Sequence, residues 1–265
     1  MQTLRTLTAL TGLYVRTRLE YRGALVLMWI AQAFGYIATY GTIWLILSRF
    51  EVLGGWTWPD MAFLLGFHIL AYASGAAFSF TQMRGIEDLV RKGTFDVLLI
   101  KPVSPWAYLV FSGLNIGYGG HIALGIGMCV WAALSADVTW TPGLALFAVG
   151  AYVSGAMLVA ALMTMIGACA LLWGRSRALY AIFFGVWQLA RYPLGIYAGP
   201  IQAVMLTVMP LAFLAYVPVA VMLGKDVAVL GAWGAPLCLL VGPLAVAVAS
   251  LHWRYCINHY QGGGG

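Results

Sequence analysis

The chain has 265 residues, of which 63% are hydrophobic and 8% charged, with a formal net charge of +6 and a mean hydropathy of +0.90. About a quarter of the residues in a soluble domain are charged, so a water-soluble fold is excluded, and the lack of short alternating segments argues against a barrel. Apolar runs of twenty residues or more, enough to cross roughly 30 Å of hydrocarbon, make this an all-α integral membrane protein built as a single transmembrane domain over 1–265.

Residues 1–23 read as an amphipathic interfacial helix: Leu4, Leu7, Leu10 or Thr11, Tyr14 and Val15 recur at helical spacing among Arg5, Arg16, Arg18 and Arg22. Such a basic helix lies in the headgroup layer, and the segment lacks the compact apolar core of a cleavable signal. The first span is predicted at about 24–47, and a turn-rich loop, EVLGGWTWPD, leads to a second at about 61–80. A charged segment, 81–105, precedes a third span at about 106–134. After a brief loop around Asp137 and Pro142, a fourth span covers about 143–172 and ends at the basic turn GRSR.

From 178 to 223 the chain stays apolar but is interrupted by Pro193, Pro200, Pro210 and Pro218. Each proline removes a helical hydrogen bond, which excludes one straight helix. Two spans, or one span and a broken hairpin, both fit. Broken backbone at membrane depth requires protein or a cavity around it. We favour six spans with an outer re-entrant segment over 191–225, between spans five and six, and a last span at about 234–253. Both termini then lie on the cytoplasmic side of a cell membrane. The segments 1–23, 81–105, 173–177 and 252–265 hold eleven of the fourteen Lys and Arg, as positive-inside bias requires.

The segment 81–105 is too long and too patterned for a plain connection. Glu87 and Arg91, and Asp88 and Lys92, are acid-to-base pairs at i,i+4 in the favourable order, with Ile86, Leu89 and Val90 on the other face. Gly93 suits a helix C-terminus, and Thr94 could cap a second short helix carrying Phe95, Asp96, Leu98 and Leu99 that stops before Pro102. Two amphipathic helices with an elbow would fit either lipid or a protein partner. The acids argue for the partner, since lipid-surface helices carry a uniformly basic polar face.

Among polar residues in apolar runs, His68 and His121 are either satisfied by neighbouring helices or functional. Arg191, beside Gln188, either snorkels outward or lines a pathway; Asn115, Gln188 and Gln202 either face a lumen or join helices. The glycines of 113–127 suggest close packing. His252, Cys256 and His259 recur at i, i+4, i+7 without a fourth donor, and the four cysteines form no disulfide or CxxC pattern.

The run RKGTFDVLLIKPVSP, with the N-terminal helix, the proline-broken stretch 192–225 and the ending WRYCINHYQGGGG, resembles type-2 ABC transporter permeases, in the subgroup of paired exporter subunits of about 260 residues. The resemblance implies a six-span half-transporter that pairs with a second permease, either a second copy or, more commonly, a different chain. It also implies two cytoplasmic P-loop ATPases, which would supply the ATP and Mg that this chain does not bind itself. The coupling helix would lie between spans two and three, with Arg84, Glu87, Asp88, Arg91, Lys92 and Asp96 as polar contacts and Leu89, Phe95 and Leu98 as packing. The exported compounds would be small, toxic and often cationic. The sequence has no GxxxxGK[ST] loop and so is not an ATPase by the usual route. His68, Asn115, His121, Gln188, Arg191 and Gln202 are candidate pathway residues. The alternatives are an ion-coupled carrier, which usually needs an intramembrane carboxylate missing here, and a membrane scaffold.

Overall fold

In a computed structural model the protein is described over residues 2–136, 138–227 and 229–262, by backbone alone for 2–7 and 10. Asp137, the side chains of Leu4, Leu7 and Leu10, and the last glycines of the terminal run therefore fall outside the description. The described residues are helical with no strands. They form α1 (Gln2–Glu20), α2 (Arg22–Phe50), α3 (Trp58–Arg91), α4 (Asp96–Leu99), α5 (Pro105–Ser112), α6 (Gly119–Ser135), α7 (Pro142–Trp173), α8 (Arg177–Leu189), α9 (Gly199–Leu206), α10 (Tyr216–Met222) and α11 (Gly234–Asn258).

Five helical stretches among the described residues are long and apolar enough to cross a membrane: Arg22–Phe50, Trp58–Arg91, Ile116–Ser135, Pro142–Trp173 and Gly231–Asn258. The chain is a multi-pass membrane protein. The expected fifth span corresponds to α8, which has 13 residues and reaches only about 20 Å at 1.5 Å per residue. Residues from 191 to 225 fold as the short helices α9 and α10 with single 3-10 turns at Leu194–Ile196 and Leu211–Leu214. Residues 211–220 of this stretch are all buried.

α3 and α7 are the centre of the molecule, with α6 packed on α3 and α11 on α7. Small residues permit this. A Cβ at Gly75 would overlap the α7 backbone at Ala156, and one at Gly242 would overlap Ser154. In α11, which carries Pro243, the Gly242 N–H donates to Ser154 Oγ at 2.9 Å. The hydroxyl of α7 thus ties the two helices together where they approach most closely.

The third span is not continuous as expected: the chain breaks at 113–118, between α5 and α6. The physical reason lies in α3. Asn115 donates its backbone N–H to Ala77 O at 2.9 Å, Asn115 Nδ2 donates to Thr81 Oγ1, and Gln82 donates to Gly113 O. The freed backbone groups are served from a neighbouring helix, so the break costs little at that depth.

Candidate functional site

Two groups of residues stand out, one at the end of the bundle that holds α4 and one between the helices. At the first, α3 ends in a Schellman motif: Gly93 takes φ +65°, Thr94 N–H donates to Leu89 O, and Gly93 N–H donates to Val90 O. Thr94 does not cap α4 as expected; its hydroxyl turns back to Leu89 O, and Phe95 takes the cap position without a side-chain bond. Phe95 and Leu98 are buried in a small core with Met83, Ile86, Leu109, Leu171, Trp253 and Cys256. Leu89 packs against the same core from a half-buried position.

The i,i+4 ion pairs expected along α3 are replaced by contacts with the α7–α8 turn. Glu87, 5% exposed, accepts the backbone N–H groups of Ser176 at 2.7 Å and Arg177 at 2.9 Å, with Arg177 Nε at 3.5 Å. Its carboxylate thereby caps the first turn of α8, where the helix dipole favours negative charge. Asp88 accepts both of its hydrogen bonds from Arg177 Nη2, at 2.7 and 2.8 Å. Arg177 wins over Arg91 and Lys92 because it presents backbone and side-chain donors together.

What remains outward at this end is an apolar tip together with exposed cations of α3 and its C-cap. Arg84, Arg91 and Lys92 are exposed, as are Val97, Leu99 and Ile100, the last at 84%. Asp96 is half-buried beside the C-terminal residues, where Tyr260 packs edge-on against Phe95 at 5.1 Å. Burial, together with the Asp96 carboxylate, pushes the Tyr260 phenol pKa up.

The second group joins four helices. The His68 ring of α3 lies 4.8 Å from Trp187 of α8, Tyr72 lies 4.7 Å from the same indole, and the Arg191 guanidinium stacks over it at 4.4 Å. Tyr36 of α2 meets Tyr40 at 5.4 Å and His121 of α6 at 5.1 Å; His121 also meets Tyr118. Arg191 is within electrostatic range of Tyr36, Tyr40 and His68. Both His68 ring nitrogens, Trp187 Nε1, Arg191 Nε, Tyr40 OH and His121 Nδ1 are buried without a partner of normal hydrogen-bond geometry. Buried polar atoms are nearly always paired, so so many in one place mark a place built for something besides packing.

Of the pathway candidates, His68, His121 and Arg191 come together here. The other three do not: Asn115 supports the break before α6, Gln188 is exposed on the other side of α8, and Gln202 donates to Tyr197 O at 2.7 Å. Tyr36, Tyr40, Tyr72, Tyr118 and Trp187 were missed. A signal for them existed, because Tyr36/Tyr40, His68/Tyr72 and Trp187/Arg191 are all i,i+4 pairs, which share a helix face.

His252 lies 3.4 Å from Cys256 Sγ and 3.7 Å from Cys169 Sγ, whereas His259 stacks on Tyr255. The three residues spaced i, i+4, i+7 therefore do not converge, and no cluster suited to a metal ion occurs among the described residues.

Residues 33–264 match the model of the family described as ABC-2 family transporter protein. Neither a curated protein nor a solved structure matches the chain.

Proposed function

The chain belongs to the ABC-2 transporter family, and from that premise we propose that it is the membrane-spanning subunit of an ATP-driven exporter. It pairs with a second permease, more commonly a different chain, in the cell membrane, with both termini cytoplasmic. Two separate P-loop ATPases bind ATP and Mg and dock on the end that holds α4. α8 and the broken segment 191–225 together make up the fifth crossing and its outer re-entrant cap.

The observation that carries this reading is the tip formed by α4. Val97, Leu99 and Ile100 project from the bundle end that also carries Arg84, Arg91 and Lys92. An exposed apolar tip with cations at the same end of the bundle suits the groove of a protein partner. Asp96 joins that outward set. Glu87, Asp88, Leu89, Phe95 and Leu98 act one layer behind it, holding the tip to α8 and to the C-terminal residues. ATP-driven closure of the ATPases then presses on the tip, and the Glu87–Ser176 joint passes the motion to α8, which ends at Trp187 and Arg191. An ion-coupled carrier gains no support, because the two buried acids among the described residues, Asp60 and Glu87, are both engaged in ion pairs.

The test is co-purification with P-loop ATPase subunits expressed in the same host cell. Replacing Leu99 and Ile100 together by Arg should abolish co-purification while leaving the melting curve of the permease unchanged. Full retention of the ATPase by that variant would refute the docking assignment.

A further inference from the structure

Arg191 is a half-buried cation with no acidic partner among the described residues. Among the described residues it makes no ion pair and no hydrogen bond, and its stacking on Trp187 at 4.4 Å is the only contact that favours the guanidinium. The nearest acid along α3, Asp60, is bound to Lys225 at 3.1 Å. The depth makes this costly. Arg191 follows α8 by two residues, and α8 rises only about 20 Å from Arg177, so in the crossing proposed above the charge falls within the roughly 30 Å of hydrocarbon. Charged groups at such depth carry a functional role by default and are found with a partner. Around it Arg191 Nε–H and Trp187 Nε1–H are unpaired and donate only, and Tyr40 OH can give one O–H. Fixed positive charge, surplus donors and flat aromatic walls describe one kind of guest.

We propose that the cluster around Arg191 is an anion site, and that the cargo is an amphipathic organic anion, a carboxylate, sulfonate or phosphate carried on a flat apolar body. The word cargo rests on the permease reading above; the binding site itself does not. The proposal runs against the cationic compounds that the family resemblance implies. A free cation would meet Arg191 already seated on the best aromatic face, and like charges at short range in a low dielectric repel strongly. An anion would pair with the guanidinium and take the Trp187 and Tyr40 donors, with its apolar body against the aromatic residues of the cluster.

The experiment uses the full-length chain in phosphatidylcholine nanodiscs, without ATPase, and compares radiolabelled naphthalene-2-sulfonate with 2-naphthyltrimethylammonium, probes that share one ring system. The sulfonate should bind saturably and at least about tenfold tighter than the ammonium, the least expected when one member of a desolvated charge pair is removed. Arg191→Gln should abolish that preference and Arg191→Lys should keep part of it. Equal or tighter binding of the ammonium to the unmodified protein would overturn the proposal, whatever the variants do, and so would unchanged sulfonate affinity in a folded Arg191→Gln protein. A parallel set of discs containing phosphatidylglycerol identifies the source of the anion: competition assigns it to a lipid headgroup, and no competition to a soluble organic acid. Failure of ATPase co-purification in the separate assay would remove the exporter reading without altering this binding result.

Discussion

Glu87 and Asp88 are adjacent in sequence and touch the same arginine, yet their environments predict unequal costs. Glu87 is buried and holds two backbone N–H groups, so Glu87→Gln should destabilise the protein by about 1–3 kcal/mol. The side chains of Asp88 and Arg177 are nearly half exposed, and Asp88→Asn should cost no more than about 1 kcal/mol. Thermal unfolding in one detergent orders the two, and an equal loss would show that the buried joint adds nothing. His68 behaves in the opposite sense. With both ring nitrogens buried and neither holding a partner of normal hydrogen-bond geometry, His68→Leu should raise stability by up to about 1 kcal/mol, since it removes a poorly met desolvation cost. The same variant should lower transport. At this scale the sequence was only partly legible. Gly93 and the stop before Pro102 could be read because their causes are local. The partner of Glu87 could not, because it lies 89 residues away and the i,i+4 neighbours Arg91 and Lys92 offered a plausible local alternative.

Among the helices, the contact between α7 and α11 depends on one hydroxyl and one missing side chain. Ser154→Ala would remove a buried hydrogen bond from the Gly242 N–H, a loss of about 0.5–1.5 kcal/mol, and Gly242→Ala would press a methyl group into the Ser154 backbone at a cost of about 1–3 kcal/mol. Because both changes act on one contact, the double variant should lose less than the sum; strict additivity in unfolding experiments would argue that the contact is not shared. The arrangement of crossings can be checked with cysteine labelling. Thr94 and Val208 are both exposed and lie at opposite ends of the bundle. Thr94→Cys should react with a membrane-impermeant maleimide only in inside-out vesicles, and Val208→Cys only in intact cells. Reaction from the same side would remove the proposed crossing made by α8 and the broken segment. Helix type and most boundaries were readable from hydropathy and proline. The break at 113–118 was not, since its glycines fit tight packing equally well and the side chains that satisfy it belong to α3.

For the whole molecule, the question is how the two sites communicate. α8 begins at the Glu87 joint and ends two residues before Arg191, so it is the shortest rigid path between them. Arg177→Ala should therefore reduce transport per ATP hydrolysed by about tenfold, within the usual range of coupling between distant sites, while ATPase binding and hydrolysis in the complex persist. Equal loss of hydrolysis and transport would place the defect in docking instead. The sequence could suggest the two ends separately but not this connection, because α8 reads from hydropathy as part of a longer apolar run. Its true length appears only in the structure, where the helix stops at Leu189.

The grip between α3 and α7 has a mechanical consequence of its own. Gly75 lets α3 touch the α7 backbone, and Gly167 lets α7 touch α3 at Met83. These two clamps are about 12 Å apart along the helix, which opposes both sliding and pivoting. The pair is thus a single stiff rod whose ends travel together, with Glu87 at one end and Asp60 at the other. Asp60 meets Lys225 at 3.1 Å. A displacement of the rod by about 1 Å would carry that pair past the 4 Å limit of a salt bridge. The stroke at one face of the bilayer is then felt at the other as the release of a latch.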